Sequence, residues 1–239
     1  MEEELSLVPN LDGIICDVLK ERFDVKCCEK GHYWFTNWED HCRRVFRLYP
    51  LKSPSYPLYW GYNYDFIPWE NCFLGVNYKP FNITGKLVYH RTEKSVMIDF
   101  TGYPFPYMGY NFWSPSLHTP GEHLAFRDKY FVDVYGKASP ENIEKIEAVV
   151  RRNIPFMLDW FEKMKTTDDI IAALTEDIAE SEDEYCFPYA SYWVRGFLKS
   201  RQHDIQGAID DIAYVYKRFD PPSEIPEKVI KKIYEIDKL

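Results

Sequence analysis

The sequence predicts an α+β fold: an N-terminal helix, an antiparallel β-sheet meander, and a helical C-terminal half. Three observations lead there. Residues 1–138 hold 29 of the 42 aromatic residues, nine of the 11 glycines and ten of the 16 prolines, a composition of strands and turns. Short apolar runs, some with period-two alternation, fall in the same stretch. From residue 139 onward the apolar residues recur at helical spacing, glycine nearly disappears, and the formal charge is −7, against −2 for residues 1–138. Residues 1–138 therefore read as helix plus sheet, with an aromatic and proline-rich loop at 101–123. Residues 139–239 read as a helical region packed on it in one continuous structural unit.

The opening helix is expected at 11–23, with Asn10 as N-cap after Pro9 and Leu11, Ile14, Ile15, Val18 and Leu19 on one stripe. Strands are expected at 25–28, 32–36 and 43–49. In the last of these, Val45, Phe46, Leu48 and Tyr49 mix with arginines, as on a half-buried antiparallel strand. Across 59–67, Trp60, Tyr62, Tyr64 and Phe66 share one face. Residues 86–90 and 95–100 form a hairpin around Arg91-Thr-Glu-Lys94. Four prolines in 101–121 exclude a central strand or a continuous helix there. Segment 124–135 fits either a strand or a short helix.

Ser139-Pro140-Glu141 supplies an N-cap, a first-turn proline and an acidic first turn. Ile143, Ile146, Val149 and Val150 continue the stripe, and Pro155 is expected to interrupt or restart the helix. Further helices are expected at 168–179, 189–200 and 205–219, and a last one around Val229, Ile230, Ile233 and Ile236.

Composition also bounds function. A net charge of −9 over 239 residues argues against a general basic nucleic-acid surface. No apolar run approaches the roughly 18 residues of a membrane span. The acidic Met1-Glu-Glu-Glu-Leu start is unlike the basic start of a secretory signal. Six cysteines in such a chain read as reduced thiols of a cytoplasmic protein.

Four constellations stand out. Cys27, Cys28, His32, His41 and Cys42 are the densest set of soft ligands. Their pairs are adjacent rather than two to four residues apart, so buried thiols and strand-end histidines are expected rather than a zinc site. His118, Glu122 and His123 fail the helical zinc-protease pattern because Pro120 and Gly121 intervene. They remain an alternative loop pocket. Tyr103, Phe105, Tyr107, Tyr110, Phe112 and Trp113 supply rigid amphipathic area suited either to a partner surface or to capping the sheet. Residues 176–184 carry six carboxylates in nine positions, Glu180, Glu182, Asp183 and Glu184 among them, suited to steering a basic partner. No phosphate loop, nucleophile elbow or dinucleotide fingerprint is present, and no metal or cofactor is expected.

Residues 192–212, with Gly196 and the Ala208-Ile209 pair at the helix contact, resemble one tetratricopeptide-type helical hairpin without a second copy. Gly61-Tyr-Asn-Tyr-Asp-Phe-Ile-Pro68, Asn153-Ile-Pro-Phe-Met-Leu-Asp-Trp-Phe161 and Thr167-Asp-Asp-Ile-Ile-Ala-Ala-Leu174 resemble, in order and pattern, a family of uncharacterised bacterial α+β domains. Some of these sit in toxin–immunity neighbourhoods. Taken with the acidity of the helical half, the aromatic-rich loop and the missing catalytic signature, the resemblance leads us to expect a cytoplasmic protein-binding module for a basic partner, of inhibitor or immunity type. The alternative is an enzyme or small-ligand binder with a pocket between the sheet and loop 101–123.

Overall fold

The computed structural model describes residues 7–27, 32–48, 55–67, 131–136, 139–182, 189–217 and 222–239. The expected N-terminal helix, antiparallel sheet and helical C-terminal half are all present. In chain order the described elements are α1 (Leu11–Leu19), β1 (Lys26–Cys27), β2 (Tyr33–Phe35), β3 (Cys42–Leu48), β4 (Ser55–Tyr64), β5 (Phe131–Asp133), α2 (Pro140–Lys163), α3 (Thr167–Glu182), α4 (Tyr189–Arg201), α5 (Ile205–Lys217) and α6 (Glu227–Ile236). The expected hairpin at 86–100 lies outside the described residues. The ambiguous segment 124–135 resolves in its described part into β5. The chain divides into two compact units, Met1–Tyr62 with Thr101–Glu162 and Asn63–Phe100 with Lys163–Leu239. The composition shift near 139 coincides with the start of α2, and the division into units falls at its end.

In the first unit the described strands lie in the order β1-β2-β3-β4-β5. Antiparallel pairing sets Tyr33 opposite Arg47, Trp34 opposite Phe46, and Tyr56 opposite Val132. Asp40 and His41 both take positive φ between the paired Glu39 and Cys42. That is the conformation a two-residue hairpin of type I′ requires. Helix α1 is fixed on β2 by Trp34, fully buried, whose Nε1 donates to the Asp12 carbonyl at 3.0 Å. Phe23, Phe46 and Phe161 form a ring cluster with centroids 4.7–6.0 Å apart, tying the residues after α1 and strand β3 to α2. At this packing Arg151 reaches Glu21 at 2.9 Å.

Three expectations are corrected here. Asn10 precedes α1 in a left-handed conformation, and its side chain makes no cap hydrogen bond. It lies instead over the Cα of Gly13, where any larger residue would strike it. Strand β3 is not half-buried, because Arg43 and Arg47 are themselves buried. Their guanidinium carbons sit 4.0 Å from the centroid of Phe35 and 5.0 Å from that of Tyr33, respectively. Ring faces accept the cations, so an arginine-rich strand can be covered on both sides. Finally, α2 runs unbroken through Pro155. The proline ring is on the exposed side, where a carbonyl relieved of its partner can turn to water.

Within the second unit, residues 163–239 carry α3 to α6 and follow helix-end chemistry closely. Thr166 and Asp169 form a reciprocal cap at the start of α3. The Asp169 backbone N–H donates to Thr166 Oγ1 at 3.2 Å, and the Thr166 N–H to Asp169 Oδ2 at 3.0 Å. The Thr166 hydroxyl, donating to Asp169 Oδ2 at 2.6 Å, and then the Thr166 N–H hold the Asp169 carboxyl below its ordinary range. Asp204 caps α5 through the Gly207 N–H at 2.9 Å. Helices α4 and α5 touch at Gly196, where an added Cβ would lie 3.0 Å from Ile212 Cδ1 and 3.2 Å from the Ala208 carbonyl. Only glycine admits this approach without displacement. Helix α6 closes the unit with Val229, Ile233 and Ile236 buried, and Ser200 Oγ donates to the Ile233 carbonyl at 2.5 Å.

Candidate functional site

Most of the residues singled out from the sequence lie outside the described residues: Tyr103, Phe105, Tyr107, Tyr110, Phe112, Trp113, His118, Glu122, His123, Asp183 and Glu184. Glu180 and Glu182 stand on the last turn of α3. Of the soft-ligand set, Cys28 is outside as well, and the structure scatters the remainder. Cys27 is on the edge strand β1, and His41 is in the hairpin turn. His32 is occupied by Asp12, its Nδ1 donating to Asp12 Oδ1 at 2.6 Å. Among the described residues no three His, Cys, Asp or Glu side chains gather in a way that would hold a metal ion.

Of the polar groups that do converge in the first unit, the sequence singles out only His32, and there as a soft ligand. Asp12, in the first turn of α1, orients His32, a residue held at φ 59° just ahead of β2. The His32 ring packs edge-on against Tyr56, with centroids 5.9 Å apart. Tyr56 Oη lies 3.1 Å from Tyr135 Oη. Burial, reinforced by this hydrogen bond, pushes the Tyr56 phenol up to about 12, so it remains a neutral hydroxyl at any physiological pH. Beside it the Ser55 hydroxyl donates to the Asp133 carboxylate.

Tyr135 and Asp133 also line a cavity of about 610 Å³ between β5, the chain at Val8, and α2. Phe131, Asp133 and Tyr135 are alternate residues of one wall. Asn142, Lys145, Ile146, Val149 and Arg152 recur at three- and four-residue steps on the other. Val8, Phe131 and Ile146 are buried at its base, whereas Asp133, Lys145 and Arg152 are exposed. Lys145 is tethered to Glu141 at 2.6 Å, which raises the lysine and lowers the glutamate relative to their ordinary ranges. No local sequence signal marks this set, since Tyr56 and Tyr135 are 79 positions apart and Asp12 and His32 are 20 apart.

In the second unit the conspicuous polar group is internal. Arg195 donates from Nε and Nη2 to the two oxygens of Asp211 at 2.8 and 2.7 Å, and Lys199 reaches the same carboxylate at 2.9 Å. Arg195 also donates to Thr175 Oγ1 at 3.1 Å, so α3, α4 and α5 meet on one guanidinium. The pair is buried and fully engaged, which is the arrangement of a structural clamp.

No family model, curated protein or solved structure matches the chain. Among the described residues no helix is long and apolar enough to cross a membrane.

Proposed function

We propose that the protein is a cytoplasmic binding module whose helical half presents an acidic surface to a basic protein partner, in the role of an inhibitor or immunity protein. The observation that carries this reading is where the second unit spends its cations. Residues 163–239 contain eleven basic and sixteen acidic residues. Arg195 and Lys199 are both turned onto Asp211, which leaves the rest of the segment one charge more negative. On α3, Asp168, Asp169 and Glu176 are exposed and lead in sequence toward Glu180, Glu182, Asp183 and Glu184. A one-sign surface of this kind accelerates encounter with a cation-rich partner. The resemblance to domains of toxin–immunity neighbourhoods and the missing catalytic signature support the same reading.

The test is kinetic. A basic protein captured by the immobilised chain and identified by mass spectrometry should associate more slowly as salt rises. Replacing Glu180, Glu182, Asp183 and Glu184 with Gln should slow association and flatten that salt dependence, leaving dissociation unchanged. Trp113→Ala or Tyr110→Ala should instead speed dissociation, at a cost of about 2 kcal/mol for a true anchor. Association that is insensitive to both salt and the four Gln substitutions would overturn the proposal.

A further inference from the structure

We propose that the cleft between β5 and α2 is a binding site for a small neutral molecule with an apolar body, held by burial and shape without an ionic contact. Its volume of about 610 Å³ lies inside the range of roughly 300–1,000 Å³ typical of small-molecule sites. Val8, Phe131 and Ile146 line it and are themselves buried. Val149 adds a half-buried branched side chain on the helix wall. Apolar surface of this kind is stabilised in proportion to the area that a ligand removes from water.

The polar groups at the mouth decide the charge of the ligand, because each is already engaged. Lys145 is held by Glu141 at 2.6 Å. Asp133 accepts from the Ser55 hydroxyl, and Tyr135 shares a hydrogen bond with Tyr56 at 3.1 Å. Arg152 and Asn142 are likewise engaged within the protein. A carboxylate ligand would meet Asp133 and would reach Lys145 only by displacing Glu141. An ammonium ligand would meet Lys145 and would reach Asp133 only in competition with Ser55. Either ion gives up its water to a site whose countercharges are taken, and an ion desolvated without a new partner costs far more than a neutral group. A neutral molecule leaves its polar end in water at the exposed rim and lays only its apolar body on the base.

The experiment is an NMR titration of the full chain, at physiological salt, with three probes that share one phenylpropyl body: the alcohol, the carboxylate (hydrocinnamate) and the primary ammonium. The alcohol is expected to bind with a Kd of about 0.1–1 mM, and each ion about tenfold more weakly. Val149→Asp, which sets a new carboxylate on the helix wall, should weaken the alcohol about tenfold as well. Ala148→Trp, which fills the cleft from its rim, should abolish its binding. A circular dichroism melt establishes that a variant is folded, and either folded variant suffices for the test. No binding of the alcohol, binding of either ion as tight as the alcohol, or full binding of the alcohol by a folded variant would each overturn the site. None of these readouts depends on the acidic helical surface, so the site and the protein-partner reading fail independently.

Discussion

The two units bury arginine in different ways. In the first, Arg43 lies over Phe35 and Trp38, at 4.0 and 4.3 Å from the ring centroids, and Arg47 lies over Tyr33. In the second, Arg195 donates from Nε and Nη2 to Asp211 and lies 5.0 Å over Tyr192. The difference follows from the secondary structure available. A strand presents cross-strand aromatic neighbours about 5 Å away, so a long cationic side chain can lie flat on rings. Helices meeting in a hairpin bring single side chains to a point, and there a carboxylate neutralises the guanidinium directly. The first arrangement draws on ring faces, whereas the strongest contact of Arg195 is its two-point ion pair with Asp211, with Thr175 and the Tyr192 ring beside it.

That contrast predicts a hierarchy of damage. The largest loss should come from Asp211→Ala, which leaves Arg195 and Lys199 facing an emptied buried position. Urea denaturation should show about 3–5 kcal/mol of lost stability. The double replacement Arg195→Met with Asp211→Leu should recover most of it, because the buried guanidinium is removed together with its partner and Lys199, 21% exposed, can turn its ammonium to water. If the single and double variants lose equally, the clamp acts through packing and not through charge.

Next comes the helix contact beside that clamp. Gly196→Ala gains helix propensity but drives a methyl to within 3.0 Å of Ile212 Cδ1 and 3.2 Å of a backbone carbonyl. The side chain can yield and the carbonyl cannot, so a net loss of about 1–3 kcal/mol is expected by thermal or urea melts. Ile212→Val in the same background should recover little, since it leaves the carbonyl contact in place.

The ring-supported side should be gentler. Trp38 is 41% exposed, so Trp38→Ala removes one of the two rings against Arg43 while opening little core. A loss of about 0.5–1 kcal/mol is expected. A loss as large as that of Asp211→Ala would erase the distinction drawn between the two units.

The mildest perturbation is alkaline pH. Burial pushes Tyr62 up to about 12 against the opposing guanidinium of Arg44, and Tyr56 is likewise raised to about 12. Unfolded tyrosines release their protons near 10, so these groups contribute stability that is intact below pH 10 and lost as pH rises through 12. Phenolate absorbance should show at least two tyrosines, Tyr56 and Tyr62, ionising late, and unfolding free energy should decline across pH 10–12. Tyr56→Phe should remove part of that decline without affecting stability near neutrality by more than one neutral hydrogen bond, about 1 kcal/mol.

Local chemistry was legible in the sequence wherever one stretch of chain is self-sufficient. Ser139-Pro140-Glu141 reads as a helix start, and Ser139 Oγ indeed accepts from the Asn142 N–H at 3.2 Å. Gly196 and Ala208 read as the small residues of a helix contact, and they meet there. Elsewhere a tertiary neighbour overruled the local rule. Arg43 and Arg47 of β3 read as a solvent face, like the exposed Arg44, because strand pairing and not local spacing lays them on Phe35 and Tyr33. Pro155 read as a break because the exposure of its ring is decided by which side of α2 meets the sheet.

The sequence by itself determined the fold class, the split between aromatic sheet and charged helices, and most helix boundaries, because period, capping and glycine content act over a few residues. Only the tertiary structure decided which polar groups share a site. Asp12 and His32, Tyr56 and Tyr135, and the opposed walls of Asp133 and Arg152 are brought together by strand pairing and by the seating of α2. Such encounters depend on loop closures between distant segments, and neither the spacing nor the composition of a single segment encodes them.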